Sequence, residues 1–166
     1  NDPRMQFIYG DAFKAVETLA ASGAMFDAII IDLPDPSHPD LNKLYSAYFY
    51  SKVASLLVGD GAIVVQSTSP YHSKKAFLSI GKTLAATDLT VDQYHTNVPS
   101  FGEWGWSLAT KRGLGAQQRI INHGGQGFDD DFISYPQILA AFHFSKPFFN
   151  ELDTIEINRL SAPTLY

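Results

Sequence analysis

The chain has 166 residues, of which 45% are hydrophobic and 17% are charged, with a formal net charge of −5 and no cysteine. This composition is typical of a globular protein and not of a disordered one, and it excludes disulfides and thiolate metal sites. The negative charge argues mildly against a nucleic-acid partner and is compatible with a cationic ligand, and no apolar run approaches the roughly 20 residues of a membrane span.

Strand-like and helix-like patterns alternate along the first part of the chain. Met5–Tyr9 is short, apolar and partly β-branched, which predicts a strand. Apolar residues then recur at helical spacing from Phe13 until Gly23, and glycine commonly ends helices. Phe26–Asp32 is a nearly continuous apolar run, as expected for a strand that is covered on both faces.

The same alternation continues to residue 111. The remaining elements are predicted, in chain order, to be a helix over Leu44–Leu57 that Gly59–Gly61 ends, a strand over Ala62–Gln66, a helix that Ser73 caps and that runs to Leu84, and strands over Thr90–Asn97 and Trp104–Ala109. Strands that alternate with helices indicate an α/β protein with a mostly parallel sheet, and the last two strands indicate an antiparallel edge.

The character of the chain changes after Lys111. Five glycines between residues 113 and 127 predict a flexible or irregular region, and Ser134–Phe144 predicts one short helix. The tail to residue 166 is expected to pack as an extended strap. We therefore expect a single domain over residues 1–166, with a folded core at 1–111 and an irregular tail with one short helix at 112–166.

Two carboxylates follow the predicted strand Phe26–Asp32, and we call them the acid pair. Asp32 ends the strand, and Asp35 lies a short step further on, among prolines that take the chain out of the sheet. Open α/β sheets bind ligands at the carboxyl ends of their strands. The acid pair can bind an ammonium group, and one acid, if partly desolvated, can accept its proton. The alternative is that both are loop acids that cap the next helix or face water.

Polar residues also follow two other predicted strands. Asp11 can accept a hydrogen bond from an amino group such as that of adenine, although spacing alone favours a helix N-cap. Gln66 and the three residues after it would line the same edge of the sheet as Asp11 and Asp32, the alternative being ordinary turn chemistry before Pro70. Three consecutive strands that end in polar groups form a stronger pattern than any one of them.

Aromatic residues cluster near the end of the predicted core. Phe101, Trp104 and Trp106 could form a wall against a cation or an alkyl chain. The alternative, which is the commoner role for any single one of them, is a place in the hydrophobic core.

No metal or phosphate motif is recognisable in the sequence. His38 and His72 lie in loops near the acid pair, but no histidine pair has a metal-ligand spacing, so we predict no metal. No Gly-rich phosphate loop follows a strand, and no serine nucleophile elbow is present.

Four stretches of the sequence occur together: FDAIIIDLPDP, LYSAYFY, GAIVVQSTSPY and VPSFGEWGWSLA. In this order and spacing they resemble the polyamine aminopropyltransferases, the spermidine synthase family. They look most like its bacterial spermidine synthase-like branch, in which the catalytic domain often follows membrane-spanning helices. The resemblance covers residues 1–111 and resumes more loosely over 135–166, with FHFSK and NRLSAPTLY.

The resemblance implies a Rossmann-like, methyltransferase-type fold and a transfer reaction of polyamine biosynthesis. An aminopropyl group moves from decarboxylated S-adenosylmethionine, a co-substrate and not a tightly bound cofactor, to a diamine such as putrescine. The sulfonium is a good leaving group, so the protein needs only a neutral amine held in line with the carbon it attacks. Because the amine is protonated at neutral pH, a base and anionic anchors are required. The implied location is the cytoplasm, or the cytoplasmic face of the membrane if the protein carries membrane helices outside this chain.

The resemblance also implies roles for individual residues. On the amine side these are Asp32 as the base that deprotonates the attacking amine, Asp35 as its anchor, and Gln66 and Phe101 in the amine pocket. On the nucleoside side these are Asp11, at the adenine amino group, and Ala12, Leu33 and Pro39 nearby. Two departures leave the identity of the amine open: Phe101 stands where the family often has tyrosine, and Thr68 stands where some members have an acid.

The family's Gly-rich nucleotide loop and its ribose-binding acid have no counterpart in this sequence, and we expect them upstream of residue 1. The chain would then be the C-terminal part of a catalytic domain that lacks the first strands of the fold, with little or no activity by itself. Such a sheet would have an unpaired edge beside Ala28–Ile31. We expect this edge to be covered by a second copy in a homo-oligomer, by an upstream part of the same protein, by a moved Met5–Tyr9 strand or by the tail.

Two other functions stay open at this point. One is a methyltransferase that uses S-adenosylmethionine on the same fold, which the acid pair disfavours because such an enzyme need not bind a diamine. The other is a non-catalytic binding or interaction module, which the missing nucleotide loop and Phe101 support.

Overall fold

The computed structural model of the chain describes residues 2–111, 113–127 and 130–165. The predicted segment limits at residues 1, 112 and 166 therefore lie outside the described residues. The strands are β1 (Phe26–Ile31), β2 (Leu57–Gln66), β3 (Thr90–Val98) and β4 (Gly102–Thr110). The helices are α1 (Ala12–Ser22), α2 (Pro39–Asn42), α3 (Ala47–Ser55), α4 (Lys74–Ala85), α5 (Ala116–His123) and α6 (Tyr135–Ala140), with 3₁₀ turns at Lys43–Tyr45 and Leu152–Thr154. None of the helices found in these ranges has the length and apolar character needed to cross a membrane.

The four strands form one sheet in the order β1-β2-β4-β3. β1 and β2 are parallel, whereas β4 runs antiparallel to both β2 and β3. The α/β class and the antiparallel edge that the sequence predicts are therefore confirmed. Because β1, β2 and β3 point in the same direction, their carboxyl ends share one edge of the sheet, together with the turn that joins β3 to β4.

Helix α1 begins and ends where the sequence predicts. The Asp11 side chain accepts hydrogen bonds from the backbone N–H groups of Phe13 (2.8 Å) and Lys14 (3.4 Å), which have no partner within the helix. Gly23 ends the helix in the left-handed conformation, with φ of 72°, which glycine adopts without a steric cost. Asp11 therefore has the N-cap role that its spacing favours.

One face of the sheet carries the main hydrophobic core. Ile63 and Val65 of β2 are fully buried there against Phe49 and Val53 of α3 and Ile80 of α4. Alternate residues of a strand point to opposite faces, which is why these two positions share the core. A second buried cluster fixes the C-terminal segment to α4 and consists of Phe77, Leu78, Phe148 and Ile155.

Two of the strand predictions were wrong. Met5–Tyr9 forms no strand, and its large side chains are exposed, Tyr9 at 91%. β1 is not covered on both faces: Ile29 packs against the main core, whereas Ile30, which points to the opposite face, is 78% exposed. The described chain also supplies β1 with β2 alone as a neighbouring strand, as expected for a strand at an open edge. Neither Met5–Tyr9 nor the described part of the tail pairs with its outer edge, so the open edge expected beside Ala28–Ile31 is present.

Two boundaries around α3 also differ from the predictions, and one predicted cap hydrogen bond, at the start of α4, is absent. The stretch predicted as one helix over Leu44–Leu57 is divided at Ser46, whose side chain caps α3 by accepting a hydrogen bond from the backbone N–H of Phe49 (3.2 Å). β2 begins earlier than predicted, and Gly59–Gly61 is an irregularity in its pairing with β1, not a turn. Ser73 precedes α4, but its side chain makes no cap hydrogen bond.

The region predicted to be irregular between residues 113 and 127 contains helix α5. Gly115 lies directly before this helix, and Gly124 ends it in the left-handed conformation, with φ of 67°. The glycines therefore mark the two ends of a helix here. The described part of residues 112–166 accordingly has two α-helices, α5 and α6, where one was predicted.

Candidate active site

Several predicted site residues line one groove at the edge of the sheet where β1, β2 and β3 end. The groove has a volume of about 500 Å³, and its lining includes Asp32, Gln66, Phe101, Trp104 and Trp106. Asp32 follows β1, Gln66 ends β2, and Phe101 lies in the turn between β3 and β4. The parallel course of the first two strands brings the acid and the amide to the same edge, where open α/β sheets place ligands. β4 runs antiparallel to β2, and its first half places Trp104 and Trp106 beside these two residues.

Asp35 lies next to this groove and is held by two neutral donors. Gln66 Nε2 donates to its Oδ1 atom (2.8 Å), and Thr68 Oγ1 donates to its Oδ2 atom (3.3 Å). Both donors are buried, with 9% of Gln66 and 4% of Thr68 exposed. Because neither donor is a cation, they orient the carboxyl group without neutralising it.

Thr68 reaches Asp35 from a strained backbone conformation. Its φ of 61° lies in the left-handed region, which costs an L-residue about 1–2 kcal/mol. Main-chain hydrogen bonds to β4 maintain this strain: the Gly105 N–H donates to the Thr68 carbonyl (2.8 Å), and the Ser67 N–H donates to the Gly105 carbonyl (2.9 Å). The strain is therefore compensated by the sheet, and it directs the Thr68 hydroxyl to Asp35.

Asp32 is exposed, and its side chain takes part in no hydrogen bond or ion pair among the described residues. No lysine, arginine or histidine in the described ranges forms an ion pair with either member of the acid pair. Asp32 in the lining of the groove and Asp35, which is hydrogen-bonded to the lining residue Gln66, are therefore carboxylates that no cation of the described chain neutralises. Such a surface favours a cationic ligand.

Aromatic rings form one side of the groove. Phe101 is 66% exposed, and its ring centroid lies 5.4 Å from that of Trp104. The ring of Trp106 stacks on Tyr94 with the centroids 5.3 Å apart, and burial raises the pKa of Tyr94. Ring faces attract ammonium groups and also pack against hydrocarbon. The groove therefore suits a ligand that combines positive charge with an alkyl chain.

Tyr45 joins the acid pair to the core, and sequence reasoning did not identify it as a site residue. Its side chain is fully buried, and its hydroxyl oxygen lies 3.1 Å from the Leu33 carbonyl oxygen and 2.9 Å from that of Pro34. The Oε1 atom of Gln66 lies 3.4 Å from the same hydroxyl. Burial and then the negative charges of the acid pair raise the pKa of Tyr45 far above its usual range, so the hydroxyl stays a proton donor. The periodicity of LYSAYFY showed a helix face but not where this hydroxyl reaches.

The residues expected on the nucleoside side lie around the other side of β1. Ala12 and Leu33 line a second, mostly apolar cleft of about 380 Å³ between α1, β1 and α3. Asp11 and Pro39 line neither cleft; they are exposed at the starts of α1 and α2. Lys43 Nζ donates to Asp11 Oδ2 (2.6 Å), and this hydrogen bond holds the pKa of the Asp11 carboxyl below its usual range. The structure thus brings Asp11 close to the turn that follows α2.

The two loop histidines near the acid pair have structural roles. His38 caps α2 by accepting a hydrogen bond from the backbone N–H of Asp40 (3.2 Å). The backbone N–H of His72 donates to Ser69 Oγ (3.3 Å) in the turn after β2. Over the ranges that the structure describes, no group of three or more histidine, aspartate or glutamate side chains is placed to hold a metal ion.

Comparison with known proteins identifies the family. Residues 1–119 match the spermine/spermidine synthase domain. A polyamine aminopropyltransferase of Shewanella oneidensis is 52% identical over all 166 residues, which cover 29% of that relative. A polyamine aminopropyltransferase of Mycobacterium tuberculosis is 41% identical over 109 residues, which cover 66% of this chain and 21% of the relative. The chain therefore spans less than a third of the length of these curated relatives.

Solved structures show the same fold. A spermidine synthase crystallised in complex with the transition-state analogue AdoDATO matches with a TM-score of 0.72 at 20% identity, over 93% of this chain and 53% of that chain. The spermidine synthase of Thermotoga maritima matches with a TM-score of 0.68 at 20% identity, over 93% of this chain and 52% of that chain. The Rossmann-like, methyltransferase-type fold implied by the resemblance is thus confirmed. With the domain match over residues 1–119, the chain belongs to the spermine/spermidine synthase family.

Proposed function

We propose that this chain carries the amine-binding part and the base of a polyamine aminopropyltransferase. The reaction transfers an aminopropyl group from decarboxylated S-adenosylmethionine to a diamine such as putrescine. The observation that carries the proposal is the acid pair, two carboxylates beside a partly aromatic groove, neither of which is paired with a cation of the described chain. Membership of the family agrees with this, since the similar proteins are named polyamine aminopropyltransferases.

In this proposal Asp35 anchors the diamine and Asp32 removes its proton. Asp35 is suited to anchoring because Gln66 and Thr68 orient its carboxyl group before the amine arrives. Asp32 is suited to proton transfer because its side chain is exposed in the groove and takes part in no hydrogen bond or ion pair among the described residues. Loss of the proton frees the nitrogen lone pair, which attacks the carbon next to the sulfonium. The carbon–sulfur bond breaks as the carbon–nitrogen bond forms, and the neutral thioether leaves with the electron pair.

The aromatic side of the groove is proposed to hold the methylene chain of the diamine. Phe101 and Trp104 provide adjacent ring faces for the hydrocarbon and for an ammonium group. Phe101 has no hydroxyl, so its contribution to amine selectivity is packing and not a hydrogen bond.

The nucleoside of the co-substrate is proposed to lie beside Asp11, Ala12, Leu33 and Pro39. The hydrogen bonds from the start of α1 and from Lys43 occupy three acceptor positions of the Asp11 carboxylate. A carboxylate has about four such positions, so Asp11 can still accept a hydrogen bond from the adenine amino group.

We further propose that the outer edge of β1 is covered in the working protein, by a second copy or by an upstream part of the same protein. No strand of the described chain pairs with this edge, and the edge also carries the exposed side chain of Ile30; both features favour pairing with another strand. The proposal places the reaction in the cytoplasm. It also expects the isolated 166 residues to show little or no transfer activity, which an assay of aminopropyl transfer to putrescine would test.

Calorimetric titration with putrescine tests the proposed function. We expect the wild-type chain to bind putrescine, and we expect Asp35→Asn to weaken binding by about tenfold or more, as for the loss of a charge-assisted hydrogen bond. Asp60→Asn is the matched control, because Asp60 is an exposed carboxylate in the first part of β2, away from the groove. Equal effects of the two substitutions would contradict the proposal.

Titrations with the nucleosides separate the other functions. The chain and a form extended upstream would each be titrated with methylthioadenosine and S-adenosylmethionine. Binding of putrescine and methylthioadenosine by the extended form supports an aminopropyltransferase. Binding of S-adenosylmethionine without any amine would indicate a methyltransferase, and no binding at all would indicate a non-catalytic module.

A further inference from the structure

The C-terminal segment is connected to the site through one buried residue, Asn158. It lies outside residues 1–119 and is fully buried. Its Nδ2 group donates to the carbonyl oxygens of Asn42 (3.2 Å) and Tyr45 (3.0 Å), and its own carbonyl oxygen accepts from the Ala47 N–H (2.9 Å). The two carbonyls lie at the ends of short helical turns, where helices leave such groups without a partner. Asn158 therefore holds the turn between α2 and α3.

Asn158 is itself fixed from its other side. Its backbone N–H donates to Thr83 Oγ1 on α4 (2.9 Å), and its Oδ1 atom accepts from the Thr164 N–H (3.1 Å). Its backbone groups and its side-chain amide are therefore all used in hydrogen bonds. A buried polar group that is satisfied in this way has one favoured orientation, so the turn that it holds is well defined.

The turn held by the tail carries Tyr45, which contacts the loop of the acid pair. The Tyr45 hydroxyl lies against the carbonyls of Leu33 (3.1 Å) and Pro34 (2.9 Å), the two residues between the acids. It also lies 3.4 Å from Gln66, whose amide donates to Asp35 (2.8 Å). One buried hydroxyl thus contacts both the loop that joins the acid pair and the amide that orients one member of it.

We infer that Tyr45 and Asn158 are positioning residues for the acid pair. Asn158 sets the turn between α2 and α3, and Tyr45 fixes the loop between the two acids relative to Gln66. The inference rests on the proposed function in one respect, since that proposal assigns the acid pair to a diamine. It follows that the C-terminal tail contributes to amine binding although none of its described residues lines the groove.

Matched variants separate positioning from general stability. Tyr45→Phe removes one hydroxyl and keeps the ring, and its control is Tyr50→Phe, because Tyr50 is also fully buried but its hydroxyl has no hydrogen-bond partner in the described structure. Asn158→Asp removes the Nδ2 donor at constant size. Its control is Ser79→Ala, which loosens the same tail by removing the hydrogen bond from Ser79 to the Glu156 carbonyl (2.8 Å).

Two measurements report on the loop and on the ligand. The first is amide hydrogen exchange at Ser37, whose N–H donates to the Asp35 carbonyl (2.7 Å). The second is calorimetric titration with putrescine. We expect Tyr45→Phe and Asn158→Asp to speed exchange at Ser37 and to weaken putrescine binding by about three- to tenfold, the size expected for one buried hydrogen bond. We expect the two control variants to leave both quantities unchanged.

Equal effects of Tyr45→Phe and Tyr50→Phe on exchange and binding would overturn the inference, and so would equal effects of the Asn158 and Ser79 variants. If Asn158→Asp does not fold, the two tyrosine variants decide the question alone. If the wild-type chain binds no putrescine, the proposed function fails. Exchange at Ser37 then still decides whether these two residues hold the loop.

Discussion

Gly105 of β4 is a position where adding one methyl group should disturb both the core and the site. A Cβ atom at Gly105 would lie 2.4 Å from Cε2 of Phe77 and 3.1 Å from the Thr68 carbonyl oxygen. Phe77 is fully buried, and its ring is packed against Phe144 and Phe148 with centroids 5.8 Å and 6.0 Å away. Moving the ring therefore means moving packed neighbours as well. Gly105→Ala must shift either this ring or the strained backbone of Thr68.

The cost of this substitution can be worked out from its two opposing effects. Overpacking a core with one extra methyl group typically destabilises by about 1–3 kcal/mol. Replacing glycine with alanine also restricts the conformations of the unfolded chain, which stabilises the folded state by about 0.4–1 kcal/mol. From the midpoints of these two ranges we expect Gly105→Ala to lower the free energy of unfolding by about 1.3 kcal/mol, with an upper limit of about 2.6 kcal/mol. The midpoint value lowers Tm by roughly 3–5 °C in a chain of this size.

Thermal and urea unfolding, followed by circular dichroism, measure this loss. The control is Gly59→Ala, because a Cβ atom at Gly59 meets nothing within 4 Å and a change there should stay within about 0.5 kcal/mol. A double-mutant cycle with Phe77→Leu tests the cause, since a smaller side chain makes room for the methyl group. Full stability of Gly105→Ala, or strict additivity with Phe77→Leu, would refute the reasoning. Because the added Cβ atom would also lie 3.1 Å from the carbonyl oxygen of Thr68, whose side chain donates to Asp35, we also expect the variant to weaken putrescine binding.

Two further predictions concern surface positions. Lys43 holds the pKa of Asp11 below its usual range, so the carboxylate stabilises the folded chain above the ordinary carboxyl pKa and this contribution is lost as the pH falls through the lower folded-state pKa. The urea midpoints of wild type and Asp11→Asn should therefore differ most at pH 7, and the difference should disappear in strong acid. A difference that persists unchanged at pH 2 would contradict this. Ile30→Lys should reduce the self-association measured by light scattering without lowering Tm, because Ile30 is 78% exposed on an edge strand. A loss of stability as large as that for a core residue would show that this face of β1 is covered.

Elements whose two ends are marked locally could be predicted from the sequence. α1 has Asp11 before it and Gly23 after it, and both residues make the cap interactions expected of them. α5 was missed although Gly115 and Gly124 flank it, because glycines that end helices also mark irregular chain. A local signal is therefore useful only where it has one physical meaning.

Features that depend on distant partners could not be predicted. Met5–Tyr9 has the apolar pattern of a strand, but the pattern does not show whether a neighbouring strand exists, and within the described chain none pairs with this segment. Asp32 and Asp35 could be predicted as site residues from the local pattern, because a strand pattern followed by two acids is visible in the sequence. The contact that links Asn158 to Tyr45 spans 113 positions of the chain, and no periodicity indicates such a pairing.

The two acids of the pair differ in how far the described chain prepares them for their proposed roles. Asp35 has two side-chain donors, and the loop before it is fixed by Tyr45. Among the residues that the structure describes, Asp32 has no such hydrogen bond, and it follows an edge strand whose outer side no other strand joins. Proton transfer needs hydrogen-bond reach of about 2.6–3.2 Å, whereas attraction between opposite charges falls off gradually with distance. The described chain is therefore better prepared to bind an amine than to deprotonate it. We expect that covering the edge of β1, which would order the strand leading to Asp32, raises turnover by a larger factor than it raises amine affinity.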